Sequence, residues 1–163
     1  MTTDARASLS IGRHDLGLLD SLVRLSFAVQ EVLDRVADGH DLSLVQARLL
    51  GILRDHEPAM MELARFLNLD KSSVTGLVTR SERRGLVERT TRPDDRRAVH
   101  VALTAKGREL AQRFAKQVER DLAVLVEDLS EVDRKRLSVL ASQIALGEAQ
   151  RRLLGSTVLP RRP

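Results

Sequence analysis

The sequence predicts a mostly α-helical protein whose middle is a helix-turn-helix with a two-stranded β-ribbon directly behind it. Three observations predict this. Residues 60–85 read as a short helix, a three-residue turn and a longer helix. At residue 86 the apolar period changes from that of a helix to the alternation of a strand. On both sides of this middle lie long stretches with apolar residues in steps of three and four, so the outer helices need apolar partners of their own.

The elements follow in order. Residues 15 to 37 place Leu19, Leu22, Val23, Val29, Val32, Leu33 and Val36 at helical spacing, with Asp15 as N-cap and Gly39 as the stop. The stretch LSLVQARLLGILRD forms a second helix capped by Ser43 and closed by HEP at 56 to 58. MMELARFL (60 to 67) is a short amphipathic helix and NLD a turn. KSSVTGLVTRSERRG (71 to 85) is the longer helix, with Asp70 capping its first amides and Gly85 marking its end. LVERTT, the turn RPDD and RRAVHVAL then make the ribbon, Val99, Val101 and Leu103 alternating against Ala98, His100 and Ala102. From Thr104 a long helix runs to about Leu129 with apolar positions at 111, 114, 118, 122, 125 and 129. SEVD (130 to 133) is a capping box that opens a last helix carrying Leu137, Leu140, Ile144 and Gly147. Residues 1–14 read as a flexible N-terminus and 155–163 as a tail. Residues 15–154 are expected to form one domain, with helices 15–37 and 105–153 flanking a lobe of residues 42–103. The simplest apolar partner for the flanking helices is a second copy of the chain.

Composition removes several function classes. With no cysteine there are no disulfides, thiolate zinc sites, cysteine nucleophiles or thiol-based peroxide sensors. Aromatics are limited to Phe27, Phe66 and Phe114, which argues against base-stacking platforms for single strands. The four histidines are scattered; His40 and His56 read as helix-end residues and His100 as an exposed residue of the ribbon, so no metal site is expected. No Ser/His/Asp set, P-loop or G-x-G-x-x-G is present, and catalysis is not expected. The opening MTTDARASLSIGRHD has no apolar core of a signal peptide and no run is long enough to cross a bilayer, so a cytoplasmic location is expected. Charge is more informative by position than in total. Residues 65 to 97 hold nine Arg and Lys against five Asp and Glu, and elsewhere the two signs cancel, so the whole net charge of +4 sits in the helix-turn-helix and ribbon.

LVQARLLGIL followed by ELARFLNLDKSSVTGLVTRSERRGLVERTTRPDDRRAVHVALTAKGREL resembles the MarR family of bacterial winged helix-turn-helix transcription factors. The resemblance spans residues 42 to 110 without a gap. Its sharpest element is D-x-R followed by V-x-L-T-x-x-G, met by Asp95, Arg97, Val101, Leu103, Thr104 and Gly107. The chain departs from the family pattern in three places: Ala47 stands where an aromatic is usual, Met60 where Ser or Thr caps the short helix, and Ser81 where Leu is usual. An uncapped start costs the short helix ~1 kcal/mol.

The resemblance implies a mostly α fold with a small β-wing, a winged helix-turn-helix plus N- and C-terminal dimerisation helices. It implies a sequence-specific regulator of double-stranded DNA, mostly a repressor, acting as a homodimer on a pseudo-palindromic operator. Two recognition helices would enter major grooves roughly 34 Å apart, with the wings in flanking minor grooves. A small, commonly anionic aromatic ligand would release it, Arg48 being the candidate anion partner. In the helix 71 to 85, Val74, Leu77 and Val78 face the core. That leaves Ser72, Ser73, Thr75, Gly76, Thr79 and Arg80 to meet DNA, with Arg80 suited to a guanine. Arg83 and Arg84 close this helix, where cations suit the helix dipole as well as a phosphate. At the wing, a minor groove about 6 Å wide asks for a narrow turn and a slim cation. Arg97 is the expected inserted residue, Asp95 fixes its guanidinium through paired hydrogen bonds, and Arg96 or Arg92 lies nearer phosphate. The alternative left open is a non-specific architectural DNA protein, whose basic segment supplies only salt-dependent affinity. Neither reading needs a cofactor, a metal or a membrane.

Overall fold

The computed structural model describes residues 15–91 and 98–155, with side chains as far as Gly147. Its elements are α1 (Leu18–Asp38), α2 (Leu44–Asp55), α3 (Met60–Leu67), α4 (Lys71–Arg83), β1 (Val87–Thr91), β2 (Val99–Leu103), α5 (Ala105–Val124) and α6 (Glu131–Gly155). The chain divides into two compact units, one ending at Val118 and one beginning at Glu119. No described helix is long and apolar enough to cross a membrane.

The first unit is built around the apolar stripes of α2, α3 and α4. Leu49, Leu50, Leu63, Leu77, Val78 and Val101 lie at its centre and are each no more than 1% exposed. Local signals set the helix starts. Ser43 and Gln46 form a reciprocal capping box at α2, satisfying two amides that the helix itself cannot. At α3 the cap position is Ala59 rather than Met60, and the Glu62 carboxylate accepts from the Ala59 N–H at 2.9 Å, so the start is half-boxed instead of bare.

Two boundaries of α1 differ from the sequence expectation. Asp15 does not cap the helix; its Oδ1 accepts from the Gly17 N–H at 2.8 Å, and Gly17, at φ 73, is the residue before the first turn. At the other end Gly39 stays right-handed at φ −62, while Asp41 takes the left-handed conformation at φ 53. The Leu42 N–H then bonds the Ala37 carbonyl at 2.9 Å and Leu42 turns into the core. Burial of that leucine, not the glycine, places the reversal.

The ribbon pairs Val87 with Leu103 through to Thr91 with Val99, antiparallel. It has a neighbour that alternation could not reveal. The Val101 N–H donates to the Pro58 carbonyl at 3.1 Å, and Ala59 bridges His100, so the loop before α3 lies along the outer edge of β2. His100, expected to be exposed, is therefore buried, with Nδ1 3.1 Å from the Glu57 carbonyl oxygen. Alternation assumes one dry face, and β2 is covered on both.

The ribbon is fastened to α5 at one crowded node. The Thr104 N–H donates to the Leu86 carbonyl at 3.1 Å and its hydroxyl donates to the Gly85 carbonyl at 2.7 Å. The same hydroxyl accepts from the Gly107 N–H at 3.0 Å and so caps α5. A Cβ on Gly107 would stand 1.9 Å from the Leu86 carbonyl oxygen. Only glycine lets the helix start and the strand start come this close.

Ser81 occupies a buried position of α4, 1% exposed, and its hydroxyl has no partner. An unsatisfied buried hydroxyl costs about 1–3 kcal/mol. Ser81→Ala should therefore stabilise the fold by about 1 kcal/mol, raising the thermal midpoint by roughly 2–4 °C. A fall in the midpoint on calorimetry would mean that the hydroxyl is satisfied.

α5 ends at Val124, earlier than the apolar spacing suggests. Residues 125 to 129 continue as tight turns with i to i−3 bonds, among them Leu125 N–H to the Leu122 carbonyl at 3.1 Å. Glu127 and Asp128 oppose the dipole at a helix C-terminus. Ser130 then starts a new helix, its hydroxyl accepting from the Asp133 N–H at 3.1 Å. In the second unit α6 leaves Val132, Val139, Leu140, Ile144 and Leu146 exposed; in the first, α1 does the same with Leu18, Leu19, Leu22, Val23 and Phe27.

Candidate nucleic-acid interface

α4 owes its start to Asp70. The carboxylate accepts from the Ser73 N–H (2.9 Å), the Ser72 hydroxyl (2.5 Å) and the Ser73 hydroxyl (2.6 Å). These donors, the Ser72 hydroxyl foremost and then Ser73, hold the Asp70 carboxyl far below the usual carboxylate range. The sign follows from a lowered folded value. The cap's contribution is fully present above the unfolded value of about 3.9 and is lost only as pH falls through the lower folded one. A carboxyl titration followed by NMR should find Asp70 still ionised at about pH 3, where an ordinary Asp is mostly protonated. A midpoint near the ordinary value would mean that the two hydroxyls point elsewhere.

This network changes how the expected contact residues present themselves. Val74, Leu77 and Val78 are buried as expected, and Ser72, Ser73, Thr75 and Arg80 are exposed, with Gly76 and Thr79 half-buried. Ser72 and Ser73 already donate their hydroxyl protons to Asp70, and Thr75 donates to the Lys71 carbonyl at 2.8 Å. In this arrangement all three hydroxyls can only accept, which suits the amino groups of bases and not phosphates. Thr79 accepts from Arg89 Nη2 at 3.0 Å.

Arg80 keeps its guanidinium clear of any ion pair among the described residues. It folds over Gly76, where an added Cβ would lie 3.2 Å from Arg80 Nη1. The two residues line an open cleft of roughly 330 Å³ with Ser72, Ser73, Val45 and Leu69. A second cleft of about 450 Å³, on the α3 side of the turn, carries Arg65 and Lys71 beside Met61 and Asn68.

Other expected residues separate. Arg84 is an internal fastening: its Nη1 donates to the Asp41 carbonyl (2.6 Å) and to Gln46 Oε1 (3.3 Å), joining the end of α4 to the loop between α1 and α2. Arg83 is exposed. Arg48 is exposed on α2 and makes no ion pair with the described residues. Arg92, Asp95, Arg96 and Arg97 lie outside the described residues. Arg89, which the sequence reading passed over, ties β1 to α4 by donating to Glu82 and Thr79. No periodicity announces this pair, because the turn at Gly85, with φ 68, is what folds residue 89 back beside residue 82.

Residues 40–98, the span from the end of α1 to the start of β2, match the MarR family. The chain is also 26% identical over 137 residues to the HTH-type transcriptional repressor YetL of Bacillus subtilis (strain 168), covering 82% of each protein. The chain shares its fold with wild-type MarR of E. coli in the apo form, at a TM-score of 0.67 and 24% identity, over 80% of this chain and 98% of that one. It also shares the fold of NadR, solved in complex with 4-hydroxyphenylacetate, at a TM-score of 0.64 and 23% identity, over 89% and 98% of the two chains. The relatives are transcriptional regulators, not enzymes, and this chain is a DNA-binding regulator with α4 as the second helix of its helix-turn-helix.

Proposed function

We propose that this regulator is a cytoplasmic repressor that binds a pseudo-palindromic operator as a homodimer through α4 and the wing. The observation that carries the reading is the outer face of α4. There the hydroxyls of Ser72, Ser73 and Thr75 are held by the helix itself, and Arg80, beside them in mid-helix, offers an unengaged fork of donors to a guanine. The apolar side chains exposed on α1 and α6 support the dimer, because a second copy supplies the cover they lack in one chain. One chain binds one half-site, and its two-fold mate binds the other about one helical turn away.

NadR binds an aromatic carboxylate, and a ligand of that class is the proposed effector here, with Arg48 as its anion partner. Such a ligand would act by favouring the dimer state whose recognition helices no longer match a spacing of about 34 Å.

The test is retention of genomic fragments by the purified protein at about 150 mM salt, where phosphate-only binding is weakened. The proposal expects a shared pseudo-palindrome with half-sites one turn apart. Fragments retained without a shared motif would make the protein a non-specific architectural one. On the recovered operator, Arg97→Ala should lower affinity by roughly 30-fold or more, since the dimer loses one groove contact in each protomer. Unchanged affinity would remove Arg97 from the interface and leave α4 to carry recognition alone.

A further inference from the structure

We propose that Arg89 is a positioning residue that sets the recognition helix against the ribbon, and that the protein's choice of DNA sequence depends on it. The proposal rests on the operator-binding reading above.

Arg89 sits on β1 opposite Val101 and reaches back to α4. Its Nη1 donates to the Glu82 carboxylate and its Nη2 to the Thr79 hydroxyl at 3.0 Å. Thr79 and Glu82 are three residues apart, so they occupy one stripe of the helix, adjacent to Arg80. The covalent path from α4 to β1 is short and turns at Gly85 in the left-handed conformation, where the Gly85 and Leu86 N–H groups bond back to the Glu82 and Ser81 carbonyls, so the backbone holds the angle between helix and strand at its vertex and a tie farther along the strand is left to a side chain. The planar guanidinium, engaged through both Nη atoms on one helix stripe, closes that angle as a brace. The Arg89 and Glu82 side chains are only 34% and 27% exposed, which screens the pair less than a surface one. Base readout needs this stiffness, because a donor at Arg80 must meet a base edge within hydrogen-bond tolerances.

The rival role for Arg89 is a direct phosphate contact, and Glu82 separates the two. Glu82→Gln removes a negative charge from the DNA-facing lobe while keeping the shape of the side chain. By charge alone it should tighten binding to every DNA sequence. A brace predicts the reverse for the operator, because the amide cannot hold the guanidinium as the carboxylate does.

The experiment uses the full-length protein, the operator recovered by fragment retention, and an unrelated duplex of equal length, over a range of salt. Glu82→Gln, Arg89→Ala and Arg89→Lys should each lower operator affinity by about tenfold, with affinity for the unrelated duplex changing by less than about threefold. The slope of log affinity against log salt should stay at the wild-type value for Glu82→Gln and Arg89→Ala. Tighter operator binding by Glu82→Gln overturns the proposal. So does a slope reduced by about one per protomer in Arg89→Ala with affinity retained in Arg89→Lys, which would assign Arg89 to phosphate. Operator affinity unchanged in all three variants overturns it as well. A wild-type protein that recovers no shared motif defeats the operator reading and this proposal together, whereas the other failures leave the operator reading standing.

Discussion

Gly107→Ala should destabilise the fold by about 3 kcal/mol or more, since it overpacks a closed site and strains two hydrogen bonds at once. The new methyl carbon would stand 1.9 Å from the Leu86 carbonyl oxygen, a backbone atom that no rotamer change can move. That carbonyl accepts from the Thr104 N–H, and the Thr104 hydroxyl in turn caps α5. Relief therefore means pulling the start of β1 away from the start of α5. Against a whole-domain stability of about 5–15 kcal/mol this is a large fraction. The thermal midpoint should fall by roughly 10 °C. Gly51→Ala is the control, because nothing lies within 4 Å of a Cβ there. A Gly107→Ala midpoint within about 2 °C of wild type would show that the helix and strand do not approach as the structure has them.

Arg80→Ala should abolish operator preference more than DNA binding. A bidentate arginine–guanine pair contributes about 1–3 kcal/mol of discrimination, and a dimer loses two, so operator affinity should fall by roughly 30-fold or more. Affinity for unrelated DNA should change little, and the salt slope should stay close to wild type, since a base contact releases few counterions. Competition binding at fixed salt reads the first quantity and a salt series reads the second. A uniform loss on all sequences, with the slope reduced by about one per protomer, would place Arg80 on a phosphate and move recognition elsewhere on α4.

Much of the first unit was legible in the sequence because its signals are local. The α3–turn–α4 spacing, the Asp70 and Ser43 caps and the placement of the two strands each depend on residues within one or two turns, and the structure reproduces them, although β2 is buried from His100 to Leu103 instead of alternating. What escaped depends on distance. His100 reads as exposed until the loop at Pro58 and Ala59 is laid along β2. Arg84 reads as a helix-end cation until the loop at Asp41 is brought to it. The hydroxyls of Ser72, Ser73 and Thr75 are on the face expected of them, but which atom holds each proton is decided by geometry of the first helical turn, and a residue list does not contain it. Arg89 is the clearest case. Its residue type drew no notice in a basic segment, and its role follows only from the partners that the turn at Gly85 delivers.

A two-stranded ribbon has two open edges, each a template on which another chain can build a sheet. Here the outer edge of β2 is taken by Pro58 and Ala59, and a proline, lacking an N–H, cannot extend that pairing. On β1, Glu88 stays exposed, and its charge discourages a second ribbon from docking. The protein thus guards its small sheet against aggregation.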